Sequence, residues 1–181
     1  MLTITPCTKN DLPLFRRLYL TAFPQEERAP WWLLKRRASQ HRAEALEALD
    51  NGKFAGLAYV VTLDDMAYLF YLAVAEEQRG QGTGGRIIAA LRERYPDKRL
   101  FLAREQLDPA AENYPQRESR HRFYLKNGFE DWGTLIKEGT VTYDVMGIGK
   151  SVTPPEYKAL MTSWTGKLAG LMFRAYLTEN K

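Results

Sequence analysis

The most informative segment of this 181-residue chain is LAVAEEQRGQGTGGR, residues 72–86. An apolar run of the kind found in buried strands precedes it, and the segment after it has the spacing of an amphipathic helix. Glycines at a strand-to-helix junction allow a tight turn and bring several backbone N–H groups against one anion, which the helix dipole also attracts. The stretch therefore predicts a site for a phosphate or pyrophosphate group, with Arg79 as a fixed positive charge beside it.

Two ligand-binding patterns fit these glycines. Gly80, Gly82 and Gly85 match G-x-G-x-x-G, the pattern of dinucleotide-binding folds, whereas Arg79, Gly82 and Gly84 match R-x-x-G-x-G. A dinucleotide fold begins with a parallel unit and continues through several more, but the predicted elements before this turn form an antiparallel hairpin. The second pattern therefore fits its surroundings better, and a glycine-rich turn without a ligand is the remaining interpretation.

The rest of the chain predicts an α/β (α+β) fold with a mixed, mostly antiparallel sheet and flanking helices. Asn51-Gly52 between two apolar segments is typical of a tight hairpin. The strand–turn–helix–strand order around the glycines is a crossover, so strands 66–74 and 99–104 should run parallel. The other predicted strands are residues 2–5, 44–50, 54–63, 129–136 and 140–148, and the predicted helices are residues 12–22, 31–39, 82–95, 117–127 and a segment from residue 154.

The sequence predicts a main domain of residues 1–150 and a helical extension of residues 151–181. Residues 153–156, TPPE, supply a helix cap, first-turn prolines and a capping-box acid. An apolar stripe at helical spacing continues to Ala175, although two glycines weaken the helix interior. We expect this helix to pack on the same domain, with a homodimer as the alternative way to cover the stripe.

Composition narrows the classes of partner. The balance of 26 Lys and Arg against 22 Asp and Glu is mildly basic and favours acidic partners without choosing among them. The basic residues are scattered over separate predicted helices, so we expect no nucleic-acid partner. One cysteine and two histidines cannot close an internal disulfide or build an ordinary zinc site, so we expect no metal. No segment has the pattern of a membrane span or a secretory leader, and we expect a cytoplasmic protein without a membrane partner.

A second motif follows the glycine turn, because residues 123–129 read FYLKNGF. An R-x-x-G-x-G turn followed at this spacing by F-Y, three residues and G-F resembles the GNAT superfamily of acetyl-coenzyme A (acetyl-CoA) dependent N-acetyltransferases. The two motifs together cover about residues 50–147. A weaker likeness lies at residues 23–28, FPQEER, which is similar to a segment near the first helices of some bacterial members.

This resemblance implies a strongly twisted sheet whose fourth and fifth strands splay apart, with the pantetheine arm of acetyl-CoA in the gap. The arm would pair with the exposed backbone of Leu72, Ala73 and Val74. The pyrophosphate would lie on the glycine turn. The cofactor-binding residues implied there and on the later helix are Arg79, Gly80, Gln81, Gly82, Thr83, Gly84, Gly85 and Arg120.

The implied activity is transfer of the acetyl group of acetyl-CoA to a primary amine, on a small molecule or a peptide, directly within a ternary complex. Cys7 is the only thiol and lies far in sequence from the turn, so we expect no covalent intermediate on it. The alternative is a catalytically silent protein of the same fold that binds a coenzyme A derivative as a sensor.

Two residues are the expected catalytic pair. By resemblance, Tyr124, the tyrosine of F-Y, is the general acid that protonates the departing thiolate. Arg117 and Arg120 share its helix face, so we expect their positive charge to lower the pKa of the phenol. Glu105, at the end of the strand that faces the gap, is the candidate general base. His121 lies one residue off that face and is expected to be solvated or structural.

The acceptor is the part of the reaction that the sequence identifies least. Glu26 and Glu27 precede the second predicted helix and are expected to hold a cationic substrate, with Trp31 as an aromatic wall. A solvated surface position is the alternative, and the commoner one for such residues, for Glu26, Glu27 and Glu105 alike.

Overall fold

The computed structural model describes residues 1–138, 141–166 and 176–179. Its strands are β1 (Leu2–Pro6), β2 (Glu44–Asp50), β3 (Lys53–Leu63), β4 (Met66–Val74), β5 (Arg99–Glu105), β6 (Glu130–Glu138), β7 (Val141–Ile148) and β8 (Tyr176–Glu179). Its helices are α1 (Leu12–Ala22), α2 (Trp31–Ser39), α3 (Thr83–Arg94), α4 (Tyr114–Lys126) and α5 (Pro154–Thr165). The chain divides into two compact units, Met1–Thr62 with Leu69–Pro96 and Leu63–Tyr68 with Asp97–Lys181.

In the first unit the strands follow the order β1-β2-β3-β4. The pairs β1–β2 and β2–β3 are antiparallel. Asn51 and Gly52 join the second pair with φ values of 50° and 76°, the left-handed conformation that a two-residue hairpin turn requires. The hairpin that this dipeptide predicts is therefore confirmed.

Close packing in the first unit depends on a glycine in β3. A Cβ atom placed on Gly56 would lie 2.6 Å from the carbonyl oxygen of Ala73 in β4 and 2.9 Å from Cδ1 of Ile87 in α3. Ile87 is itself fully buried. The missing side chain at position 56 thus lets the last part of β4 and the helix after the glycine turn come close to β3.

In the second unit the order is β4-β5-β7-β6-β8. Met66–Tyr68 of β4 pair in parallel with Arg99, Leu100 and Phe101 of β5, whereas β5–β7, β7–β6 and β6–β8 are antiparallel. The predicted mixed, mostly antiparallel sheet with flanking helices is confirmed. Helix α4 begins at Tyr114, three residues earlier than predicted, with a proline in its first turn where the missing N–H costs nothing.

The extension begins as predicted and ends differently. The Glu156 carboxylate accepts hydrogen bonds from the backbone N–H (2.6 Å) and hydroxyl (2.8 Å) of Thr153, which caps α5. The Tyr157 ring of α5 packs against the rings of Tyr68 and Phe101, at 5.7 and 6.4 Å. Helix α5 ends at Gly166, whose φ of 82° is left-handed.

The rest of the predicted helical extension requires a correction. Residues 167–175, which hold the later part of the predicted apolar stripe up to Ala175, lie outside the described residues. Tyr176–Glu179 form strand β8, which pairs antiparallel with β6, so the extension is not helical throughout. The sequence YLTE holds strand-forming residues, and the edge of β6 supplies the backbone partner that an analysis of helical periodicity does not consider.

A bulge in β6 places a large aromatic ring over a glycine. The register between β6 and β7 shifts between Asp131 and Leu135, and Trp132 lies within this irregular segment. A Cβ atom on Gly147 of β7 would come within 2.0 Å of the Trp132 ring. The ring also lies 5.8 Å from that of Phe101. Gly147 therefore provides the space that the indole occupies.

Candidate active site

The glycine turn links the end of β4 to the start of α3. A short 3-10 helix, Glu76–Gln78, leads into it, and Gly80 and Gly82 have φ values of 74° and 73°. A Cβ atom on either glycine would meet nothing within 4 Å. These two glycines are thus required for backbone conformation and not for space, and the surface above them is open to a ligand.

The first turn of α3 presents backbone donors at this surface. Gly82 is the N-cap, and the N–H of Arg86 makes the first bond of the helix to the Gly82 carbonyl, at 3.1 Å. The N–H groups of the residues between them have no acceptor within the helix. The buried Thr83 hydroxyl accepts a bond of 3.1 Å from Arg86, which also pairs with Asp50 at 2.9 Å. These bonds hold the helix start in place for an anion.

Strand β4 offers an unpaired backbone edge next to the turn. Its parallel pairing with β5 ends at Tyr68, but the strand continues to Val74. The predicted cofactor-binding residues Leu72, Ala73 and Val74 lie in this continuation, in the same unit as the glycine turn. Arg79 Nε donates a hydrogen bond of 3.2 Å to the Val74 carbonyl, which joins the strand end to the turn.

Tyr124 occupies an apolar position on α4. Its half-buried ring packs against the rings of Phe123 and Phe129, with centroid distances of 5.2 and 5.5 Å. Burial raises the pKa of its phenol to about 12, and the charge of Arg120 opposes this effect without overcoming it. The expectation of a lowered pKa is therefore wrong. That expectation took account of the positive charges on the helix but not of the desolvation of the phenol, which raises its pKa.

Glu105, at the end of β5, is held by two arginines of α4. Its carboxylate oxygens accept from Nη2 of Arg117 at 2.8 Å and Nη2 of Arg120 at 2.7 Å, and its side chain is 15% exposed. The two guanidinium groups thus occupy both carboxylate oxygens and fix the orientation of this side chain. Arg120, predicted to bind the cofactor, is part of this ion-pair cluster.

Sequence reasoning missed a second charged cluster in the same unit. The buried Arg104 of β5 forms ion pairs of 3.0 Å with both Asp131 and Asp144. His121 Nε2 lies 2.7 Å from the other oxygen of Asp131. Burial opposes the charge of Asp131, but its bonds to His121 and Arg104 outweigh this and hold its pKa below the ordinary value. Only the strand register, which places Arg104 opposite Asp144, could have revealed this cluster.

The acidic turn predicted to meet the acceptor is fixed by two tyrosines. Glu26 and Glu27 lie in a 3-10 helix, Gln25–Glu27, with Glu26 exposed. The Tyr71 hydroxyl donates to the Glu27 carbonyl at 2.9 Å and accepts from the Ala29 N–H at 2.9 Å. The Tyr19 hydroxyl donates to the Ala29 carbonyl at 2.8 Å. No local sequence signal predicts the Tyr71 bonds, because their partners lie 42 and 44 residues away along the chain.

Trp31, the predicted aromatic wall of the acceptor site, packs against helix α1. It begins α2, and its ring packs against those of Phe15 and Tyr19, each at 6.0 Å. It also lines a cavity whose walls include neither Glu26 nor Glu27.

Among the described residues, no helix has both the length and the apolar character that crossing a membrane requires.

Comparison with known proteins identifies the family. The model of the acetyltransferase (GNAT) domain matches residues 41–131, half of the chain, and the chain belongs to this family. It is also 33% identical over 81 residues to "Putative acetyltransferase YjbC" of Bacillus subtilis. That alignment covers 45% of this chain and 39% of the relative, so the likeness spans less than half of each.

Solved structures share the fold at low sequence identity. A structure described as a "Putative acetyltransferase from GNAT family" from Bacteroides thetaiotaomicron is 21% identical, with a TM-score of 0.72, over 92% of this chain and 98% of the other. A GNAT family acetyltransferase from Elizabethkingia anophelis, solved with acetyl-CoA bound, is 18% identical, with a TM-score of 0.58, over 82% of this chain and 98% of the other. These likenesses establish the GNAT fold.

Proposed function

We propose that this protein is an N-acetyltransferase that transfers the acetyl group of acetyl-CoA to a primary amine. The observation that carries the proposal is the start of α3, where a left-handed Gly82 opens a row of unpaired backbone N–H groups beside Arg79. Such a site suits the pyrophosphate of coenzyme A. Family membership and the acetyl-CoA bound to the Elizabethkingia relative support the same cofactor.

The reaction requires a neutral amine, a thioester and a proton donor. The amine attacks the thioester carbonyl, a C–N bond forms as the C–S bond breaks, the amine nitrogen gives up one proton, and the thiolate of coenzyme A takes one up. We propose direct transfer without an acyl-enzyme. Burial and the nearby charge of Glu47 raise the pKa of the Cys7 thiol to about 12, so this thiol stays protonated and is a poor nucleophile.

Tyr124 is the proposed proton donor to the thiolate. Its raised pKa keeps the phenol protonated at neutral pH, which a general acid requires. No described residue forms a hydrogen bond with its hydroxyl, so the proton is available to a bound ligand. Glu105 is the proposed base by resemblance, yet its two ion pairs favour a role in positioning Arg117 and Arg120. The pH dependence of a Glu105→Gln variant separates these roles.

The acidic pair Glu26 and Glu27 is proposed to attract the amine substrate. Hydrogen bonds from Tyr71 and Tyr19 fix the backbone of this turn, so the two carboxylates project from a backbone of defined position. A cationic amine is attracted to such a turn before it loses its proton to become a nucleophile. The proposed acceptor class is therefore a primary amine that carries positive charge in solution, on a small molecule or a peptide.

A two-stage experiment tests the proposed function. In the first stage, thermal unfolding is followed with acetyl-CoA or NAD present; acetyl-CoA should raise the midpoint and NAD should not. In the second stage, a panel of polyamines, aminoglycosides, amino acids and peptides is monitored for release of free thiol. Stabilisation by NAD alone overturns the proposal. Stabilisation by acetyl-CoA without thiol release from any amine indicates the silent sensor.

A further inference from the structure

A cavity of about 630 Å³ lies within the first unit, between α1, α2 and one end of the sheet. Its walls come from the end of β1, the start of β2 and the later part of β3. Ala55, near the start of β3, bonds to the chain at the end of β4, next to the glycine turn. Thr62, in the cavity wall, is seven residues further along the same strand, about 23 Å at the rise of an extended chain. The cavity is therefore separate from the glycine turn.

The inner wall of the cavity is apolar and well ordered by packing. Phe15, Leu34 and Tyr59 are fully buried and line it together with the half-buried Trp31. The Tyr59 hydroxyl donates to the Leu34 carbonyl at 3.1 Å, so the polar end of this ring is already satisfied by the protein. This wall suits a flat aromatic or branched hydrocarbon body, and the volume lies in the range of small-molecule sites.

The charged side chains of the lining are Lys35, Glu44 and Arg94, and their pairing leaves an excess of positive charge. One Glu44 oxygen accepts from Arg94, and the other accepts from the Tyr95 hydroxyl at 2.7 Å. Glu44 is thus neutralised within the protein. Lys35 makes no ion pair or hydrogen bond with any described residue, and its exposed ammonium group is available to a ligand.

We propose that this cavity binds a small organic carboxylate with an aromatic body, placing the ring against Trp31 and Phe15 and the carboxylate against Lys35. An amphipathic anion satisfies both halves of the site, since the wall removes apolar surface from water and the lysine neutralises the charge. A cationic amine of the same shape would meet an unpaired lysine. The cavity thus differs in chemistry from the acidic Glu26–Glu27 turn, and the proposal does not depend on the acetyltransferase activity.

Three ligands with one indole body test the charge requirement. Indole-3-acetate, indole-3-acetamide and tryptamine are titrated into the full chain by isothermal titration calorimetry. We expect one saturable site for indole-3-acetate, an affinity about five- to tenfold lower for the neutral amide, and the weakest binding for tryptamine. Saturating acetyl-CoA should leave these affinities unchanged. Tightest binding of tryptamine, loss of binding with acetyl-CoA, or no saturable binding of indole-3-acetate at millimolar concentration overturns the proposal.

Three variants test the assignment of residues. Lys35→Gln should abolish the preference for the carboxylate over the amide, and its exposed position makes a folding defect unexpected. Lys53→Gln, an equally exposed lysine at the start of β3 and absent from the cavity lining, is the matched control and should retain the preference. Ala38→Phe fills the cavity and should remove binding of indole-3-acetate and of indole-3-acetamide. An unchanged preference in Lys35→Gln, with binding retained in Ala38→Phe, overturns the assignment.

Discussion

Arg79 Nε lies 3.2 Å from the carbonyl oxygen of Val74, so the arginine of the glycine turn is bonded to the last residue of β4. This bond holds the guanidinium beside the N-terminus of α3 and leaves its two terminal NH2 groups for an anion. The unpaired edge of β4 and the proposed pyrophosphate site are thus joined by one side chain. A ligand that bound both the β4 edge and the start of α3 would meet two surfaces whose relative position is already fixed.

Replacing Arg79 should weaken acetyl-CoA binding. We expect Arg79→Gln to raise the dissociation constant about tenfold, because it removes a charge-assisted bond to the pyrophosphate, with little change in stability. Arg16→Gln makes the same change of charge at an exposed position of α1 and should bind like the wild type. Calorimetric titration measures both; equal weakening in the two variants would indicate an effect of net charge alone.

Two glycines with the same backbone conformation separate folding from binding. Gly82 and Gly52 have φ values of 73° and 76°, and neither has an atom within 4 Å of a Cβ position. Alanine at either position should lower the free energy of unfolding by about 1 kcal/mol through backbone strain. Only Gly82→Ala should also weaken acetyl-CoA binding, by at least about fivefold. Urea unfolding and calorimetry test this, and wild-type affinity in Gly82→Ala would remove the turn from the proposed site.

Tyr124→Phe should affect turnover and spare binding. We expect kcat to fall about 100-fold, since general acid help of this kind contributes that order, with an unchanged dissociation constant for acetyl-CoA. Because the pKa of the phenol is about 12, the wild type should not lose the Tyr124 proton until the pH nears that value. Tyr114→Phe on the same helix is the control. A Tyr124→Phe enzyme with wild-type kcat would exclude this residue as the acid.

Glu105→Gln should destabilise the second unit. It removes one partner of two ion pairs at a position with 15% side-chain exposure, so we expect a loss of about 1–2 kcal/mol in urea unfolding. Glu118→Gln breaks an exposed ion pair of 3.5 Å with Arg122 on α4 and should cost less than about 0.5 kcal/mol. If Glu105 were the general base, its variant would also lose the pH dependence of the rate on the acidic side. If Glu105 only positions the two arginines, the variant should keep the fall in rate on the acidic side of the pH profile.

Acid should remove the contribution of the α5 cap. Hydrogen bonds from Arg99 and Thr153 lower the pKa of Glu156 from 4.5 to about 2. A carboxyl whose pKa is lower in the folded state stabilises the protein above its unfolded pKa, and this contribution is lost as the pH falls from about 4.5 to about 2. Glu156 is 38% exposed, so screening limits the difference from Glu156→Gln to about 1 kcal/mol or less. Unfolding midpoints of the two proteins should converge near pH 2; a constant difference would contradict this.

Features with a local signal were predictable from the sequence. The Asn51-Gly52 hairpin and the cap at Thr153 depend on residues that are neighbours in the chain, and both are present in the structure. The glycine turn likewise requires left-handed backbone that glycine adopts readily. The start of α4 at Tyr114 was predicted three residues late, because the first-turn proline was not used as a signal. Strand β8 depends on a partner about 40 residues earlier in the chain and could not be inferred from periodicity.

The candidate site divides in the same way. Residues 79–85 form one continuous turn, so their grouping follows from sequence alone. The pKa of Tyr124 and the charge partners of Glu105 depend on burial and on side chains from other elements, which the helix spacing describes only in part. Arg104 and Asp131 are 27 residues apart, and only the antiparallel strands bring them together. The geometry of one turn was predictable, and clusters assembled from several strands were not.

The Trp132 ring over Gly147 limits how these two positions can change during evolution. Any side chain at position 147 would overlap the indole, with a Cβ only 2.0 Å from the ring, whereas a smaller residue at position 132 leaves room for one. A lineage that gains a side chain at 147 must therefore first lose the ring at 132. Among homologues of this chain, a large aromatic residue at 132 should accompany glycine at 147.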